Sequence, residues 1–221
     1  MIGQDLLSVK TRVIDLSQTI SVDTPVYPGD PVPRIELLST VELAGARTTL
    51  LALGTHTGTH VDTPSHILPE ERTIDELPLE AFYGPAWVFD VTRTAQKSPV
   101  QSDHLDAGSP LCKGDIALIC TGASDRKASN APQVHSYLDD SAAEWLVKRQ
   151  VKAVGVDSLS VDRYDSKTYD VHRKLLSNNI MLFENLSGNL KLLVGKRVLF
   201  FGVPLRLKEA EASPVRAFAL Y

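Results

Sequence analysis

Apolar and polar positions divide the chain into short strands separated by turn-rich loops, with helix signals in only two places. Residues 11–17, 34–38 and 48–53 are short runs of aliphatic and threonine side chains, the composition of strands. Residues 86–91 and 115–122 are near-continuous apolar runs of strand length, the second closing on Gly122, as expected for strands buried on both faces. Residues 151–156 and 180–183 read as two more strands. Ser141-Ala142-Ala143-Glu144 is a capping-box signature ahead of Trp145, and residues 171–177 read as a short helix stopped at Asn178 and Asn179. Strand 115–122, the helix from Ser141 and strand 151–156 follow in order with a short return, which favours an α/β arrangement with some parallel pairing.

The connections carry their own signals. Residues 24–31, Thr-Pro-Val-Tyr-Pro-Gly-Asp-Pro, form an irregular loop. Tyr27, held between prolines, suits a rigid pocket wall or simply covers the edge of the core. Residues 69–78 form a charged surface connection whose acids carry no evident chemistry. Loop 123–139 is polar and long, a length common in functional or mobile loops.

At 221 residues the chain suits one domain of generous size or two small ones. Its 43% hydrophobic and 23% charged residues are those of an ordinary soluble globular protein. A net charge of −4 without a basic cluster argues against nucleic acid or an anionic membrane as partner. Residues 1–7 lack a basic segment followed by an apolar run, so no signal peptide is expected, and no segment approaches the ~20 apolar residues of a membrane span. Cys112 and Cys120 are expected to be free, mostly buried thiols in a reducing cytoplasm.

The candidate chemistry is concentrated in one place. Residues 56–66 read His-Thr-Gly-Thr-His-Val-Asp-Thr-Pro-Ser-His and hold three of the six histidines. His56, His60, Asp62 and His66 all occupy even-numbered positions, so in an extended segment they project to one side. Clusters of His and Asp are the usual trace of a site for divalent cations. At roughly 3.3 Å per residue His60 and Asp62 are about 7 Å apart at Cα, but His56 and His60 are about 13 Å apart, too far to share one ion. The chain must therefore bend, and Gly58 and Pro64 supply the means. The density of Thr, Gly and Pro argues against a helix, leaving a strand that runs into a sharply turned loop. The alternative is a loop of hydrogen-bonded structural histidines.

A second part lies downstream. His172 stands at the head of the 171–177 helix, and Glu184 ends the apolar strand 180–183. A carboxylate at the end of a buried strand needs a counter-charge, which a metal ion would supply. Asp157, Asp162, Asp165 and Asp170 are spread through a Ser- and Tyr-rich loop without EF-hand spacing and read as a solvated face. His104 and His135, in separate polar segments, read as solvated too.

The run from His56 to His66 resembles the HxGTHxDxPxH motif of the bacterial kynurenine formamidase (cyclase) family, and His172 with Phe183-Glu184-Asn185-Leu186 agrees in spacing. The resemblance extends from Ile14-Asp15-Leu16-Ser17 to Ser213-Pro214-Val215-Arg216. It implies one domain over residues 1–221 with a swivelling β/β/α fold, a mixed sheet with few helices, commonly as a homodimer. It also implies a binuclear centre, with zinc usual and manganese in the related isatin hydrolases. His56 and His60 would bind one ion, His172 the other, and Asp62 and Glu184 both. His66 would be the general acid/base rather than a ligand. Tyr27 replaces a Trp that many members carry in the substrate loop.

The chemistry implied suits these residues. Two divalent ions lower the pKa of a bridging water toward neutrality and polarise a carbonyl. The resulting hydroxide attacks an aryl formamide such as N-formylkynurenine, and His66 protonates the departing nitrogen. The second reading is hydrolysis of isatin or another cyclic amide or lactone on the same site. A third is a metal-binding protein without catalysis. No GxSxG elbow suggests a serine nucleophile.

Overall fold

The computed structural model describes residues 11–94, 98–106, 108, 110–124 and 135–221. The N-terminal segment 1–7 and residues 125–134 of the polar loop lie outside the described residues. In chain order the strands are β1 (Val13–Asp15), β2 (Arg34–Ser39), β3 (Thr48–Ala52), β4 (His60–Asp62), β5 (Tyr83–Asp90), β6 (Pro99–Val100), β7 (Ile116–Cys120), β8 (Tyr137–Leu138), β9 (Ala153–Val156), β10 (Met181–Glu184), β11 (Arg197–Phe201), β12 (Ala212–Pro214) and β13 (Phe218–Leu220). The helices are α1 (Val41–Ala44), α2 (Ser102–Asp106), α3 (Asp140–Lys148) and α4 (Asp170–Ser177).

Nine strands form one mixed sheet, ordered β1-β13-β11-β5-β7-β9-β10-β4-β12. Its centre, β5-β7-β9-β10, is parallel, and the pairs outside it are antiparallel. The apolar runs therefore lie where both faces are covered, as their composition requires. β7 shows this residue by residue. Ile116, Leu118 and Cys120 join one core, whereas Ala117 and Ile119 join the other with Ala142, Ala143 and Leu146 of α3 and Leu175 and Leu176 of α4. The unit β7–α3–β9 is the parallel crossover expected from the sequence.

The opposite face closes on itself by curling. Phe183 of β10 and Phe200 of β11 meet with ring centroids 4.9 Å apart, although three strands separate them in the sheet order. Gly202 permits this approach, because a Cβ there would lie 2.4 Å from the Phe183 ring. The backbone links the same margins, with Ser187 N donating to Leu16 O at 2.7 Å. The curled mixed sheet with few helices implied by the family resemblance is what forms.

Several local expectations change. The cap of α3 is Asp139, whose Oδ1 accepts from Ala142 N at 3.0 Å, while Ser141 lies inside the first turn and donates its own hydroxyl to Asp139. Cys120 is buried as expected, but Cys112 is an exposed thiol. β2 and β3 leave the main sheet as a separate hairpin whose connection carries the one-turn α1, which Gly45 ends at φ +71°. Among the described residues no helix is long and apolar enough to cross a membrane.

Candidate metal centre

Each element delivers its side chains for a local reason. Past β3 the chain turns at Gly54–Thr57 and again at Gly58, whose φ of +67° lies in the left-handed region that glycine enters without strain. This turn carries His56 beside β4 instead of continuing the strand away from it. β4 lies between β10 and β12, and the β4–β10 register places Glu184 directly opposite His60. Paired residues on one face of a sheet are neighbours, so the register brings a carboxylate 3.7 Å from His60 Nε2. Thr63 is extended, as a residue before proline must be, and Pro64 opens a 3-10 turn that brings His66 back over the site.

All six expected residues converge. His56 Nδ1 lies 2.9 Å from Asp62 Oδ1 and His60 Nε2 3.4 Å from the same atom. His172 Nε2 reaches Asp62 Oδ2 at 3.6 Å and Glu184 Oε1 at 3.4 Å. The His66 ring sits between two others, 4.3 Å from His56 and 5.6 Å from His172 by centroids. Among the described residues, two groups have donor atoms within 4.8 Å of one another, His56 with Asp62 and His66, and His60 with Asp62 and Glu184. The even-numbered alignment holds strictly only for His60 and Asp62 on β4; the Gly58 and Pro64 turns bring in the other two.

The donor set fits a divalent cation. Asp62 is fully buried, yet both its carboxylate oxygens lack a hydrogen-bond partner, as does His60 Nε2. The imidazoles stand at ion-pair distance from these oxygens but not in hydrogen-bonding directions. Buried carboxylates left so are rare in proteins, and a cation bound among them removes the penalty.

Burial and mutual charge set the electrostatics of the cage. Burial pulls His56 down in pKa, but the negative charge of Asp62 and the Glu211 carboxylate beside its ring raise it to about 10. His172 is likewise raised to about 10, burial being outweighed by Asp162, Asp62 and Glu184. Asp62 is held well below the usual carboxylate range, its burial overcome by the neighbouring imidazoliums. Burial pushes Glu184 up to about 8. Burial also takes His60 and His66 down to about 4, so both are neutral.

Beside this cluster lies a cavity of about 300 Å³. Tyr27, Ile67, Leu159 and Tyr169 form its apolar walls, with His66 and Glu184 on the metal side. Tyr27 donates its hydroxyl to Tyr164 O at 2.7 Å, which fixes the ring as a wall. Tyr169 holds φ +51° at the head of α4 and sets its ring 6.0 Å from that of His172.

Three residues read as solvated or passed over belong to the surroundings of the site. Asp157 and Asp162 are buried, whereas Asp165 and Asp170 are not. Asp162 Oδ2 lies 2.6 Å from His172 Nδ1. His135 is also buried, its Nε2 3.0 Å from Asp162 O, while His104 is exposed on α2 as expected. Glu211, just before β12, has Oε1 3.4 Å from His56 Nε2 and accepts from Thr55 Oγ1 at 2.6 Å. Val161, fully buried beside Asp162, is a hint that this loop folds inward. Nothing local marks Glu211.

A curled mixed sheet that carries a buried His, Asp and Glu cage beside an apolar cavity is the architecture of a metal-dependent hydrolase. Residues 14–163 match the Cyclase family model, and the chain belongs to that family. The kynurenine formamidase of Bacillus mycoides is 30% identical over 207 residues, covering 92% of this chain and 95% of that protein. The solved structure of isatin hydrolase A from Ralstonia solanacearum superposes with a TM-score of 0.86 at 26% identity, covering 95% of this chain and 92% of that one. A potential metal-dependent hydrolase with cyclase activity superposes at 0.77 with 25% identity, covering 96% of this chain and 98% of that one.

Proposed function

We propose that the protein is an arylformamidase-like amidohydrolase that cleaves an aryl formamide such as N-formylkynurenine to the free amine and formate. The observation that carries this reading is the pair of partnerless Asp62 oxygens at the centre of a cage facing an apolar, aromatic cavity. The 30% identical kynurenine formamidase supports the choice of substrate. His56, His60, Asp62, His172 and Glu184 hold two divalent ions, zinc being the first choice for both and manganese the alternative, since mixed His and carboxylate sets accept either. Bound there, the ions supply Lewis acidity for the amide carbonyl and acidify the attacking water.

The remaining steps belong to side chains. Tyr27 and Ile67 hold the aryl ring and keep bulk water from it. His66, neutral at working pH, takes a proton from the attacking water and returns it to the amide nitrogen as the C–N bond breaks. An anilide leaves poorly as an anion, so this transfer is required. Water adds to the carbonyl carbon, nitrogen leaves as the amine, and formate carries the acyl carbon.

A second reading, ring opening of isatin or a similar cyclic amide, is favoured by the superposition on isatin hydrolase A. There the same proton transfer gives an amine and a carboxylate on one product. The reading takes the chain as one cytoplasmic domain over residues 1–221 and as a homodimer. Leu37, Leu38 and Leu51 of the β2–β3 hairpin and Val41 and Leu43 of its connection are exposed, apolar surface that a second copy would cover.

Assays of metal-replete protein on N-formylkynurenine and isatin decide between the two substrates, and activity on neither rejects both. His66→Ala tests the division of roles. Retained metal with turnover reduced about 10²–10⁴-fold marks a general acid/base. Lost metal marks His66 as a ligand, as expected of a simple metal-binding protein.

A further inference from the structure

Each of the three histidines at the cage turns one ring nitrogen toward the Asp62 and Glu184 carboxylates and the other toward an outer acceptor. For His60 the outer acceptor is Gly58 O, 2.9 Å from Nδ1. For His56 it is Glu211, which is half-exposed. For His172 it is Asp162, which is only 4% exposed and committed on every side. Asp162 Oδ2 accepts from His172 N at 3.0 Å and lies 2.6 Å from His172 Nδ1, while Oδ1 accepts from Val171 N at 3.0 Å. Its own backbone is pinned through His135 Nε2 on Asp162 O.

We infer that Asp162 is a positioning residue: it keeps the proton of His172 on Nδ1 and holds the ring so that Nε2 faces Asp62 and Glu184. The inference rests on the reading of the cage as a metal site. A carboxylate is acceptor only, so a nitrogen facing it at 2.6 Å must carry a proton, and the opposite nitrogen of the neutral ring is then the free donor. The same carboxylate satisfies two amides at the start of α4, so the helix and the ring move as one body. Among the described residues His172 has no other carboxylate on Nδ1, and it is supplied by a helix and not by the sheet that fixes His60, Asp62 and Glu184.

The test uses zinc as probe on the whole protein. Asp162→Asn keeps the size of the side chain but can turn an amide N–H toward Nδ1, which selects the tautomer with its proton on Nε2. Zinc affinity, read by competition with a chelating indicator, should fall about 10–100-fold. Asp139→Asn, which weakens the analogous cap of α3 away from the site, should keep wild-type affinity. Long-range ¹H–¹⁵N spectra of zinc-loaded wild-type protein should show His172 protonated on Nδ1 and metal-bound through Nε2. That spectrum decides the matter even where Asp162→Asn does not fold. Zinc bound through Nδ1, or wild-type affinity in a folded Asp162→Asn, overturns the positioning role while leaving the metal site standing. Wild-type protein that takes up no zinc overturns both.

Discussion

Two aspartates of this protein are equally inaccessible and do opposite things. Asp157, just past β9, is 1% exposed, and Asp62, at the end of β4, is fully buried. Asp157 is saturated: Thr121 N and Oγ1 donate to one oxygen at 2.7 Å each, and Gly122 N donates to the other at 2.8 Å. It ties the end of β7 to the end of β9 and has nothing left to offer a ligand. Asp62 is surrounded by imidazoles instead of amides, and neither oxygen has a hydrogen-bond partner. Burial alone therefore says little about an acid. What its oxygens face decides whether it braces the fold or waits for a cation.

The comparison predicts different failures. The largest is for Asp62→Asn, which removes one of the charges shared between the proposed ions. Metal uptake and turnover should be lost, by about a thousand-fold or more, and the metal-free protein should also melt lower, because the buried imidazoliums of His56 and His172 lose their counter-charge. Metal uptake retained at wild-type stoichiometry would make Asp62 a structural acid like Asp157. Asp157→Ala should spare the metal site. Stranding donors of Thr121 and Gly122 should lower stability by about 3 kcal/mol in denaturant titrations, with metal stoichiometry unchanged.

A subtler difference concerns protons. His56 and His172 are raised to about 10 in the metal-free protein, so at neutral pH both are protonated, and ligation requires them neutral. Metal uptake should therefore release protons, and apparent affinity should climb as pH rises toward about 10. Calorimetry in buffers of different ionisation enthalpy measures the release, and its absence at neutral pH would contradict the cage as described. The smallest effect is expected at Tyr27→Phe, which deletes only the bond to Tyr164 O. KM should rise by no more than about tenfold, the equivalent of a single hydrogen bond, with kcat nearly unchanged.

Legibility in the sequence followed the range of the interactions. The 56–66 motif could be read because its chemistry is contiguous, and the turns at Gly58 and Pro64 followed from ligand reach. β5, β7, β9 and β10 were marked by apolar runs that only a covered parallel sheet explains. His172 and Glu184 were ambiguous by themselves and became candidates chiefly through family resemblance. Asp162, His135 and Glu211 were missed. Apart from the aliphatic Val161 next to Asp162, nothing local marks their burial, and each is buried or engaged because a distant segment folds onto it.

By itself the sequence determined strands β1–β5, β7, β9 and β10, the two main helices, the bend in the histidine motif and the kind of ion such a motif would hold, but not β6, β8, β11, β12 or β13. Those follow from side-chain periodicity, backbone restriction and ligand chemistry, all of which act within a few residues. Tertiary structure decided which acid faces amides and which faces imidazoles. It set the β4–β10 register that places Glu184 beside His60, and the curl that lets Phe183 reach Phe200. It also brought Asp162 against His172. These depend on contacts between segments far apart in the chain, where packing and the pairing of buried charges select one arrangement among many that the local pattern would allow.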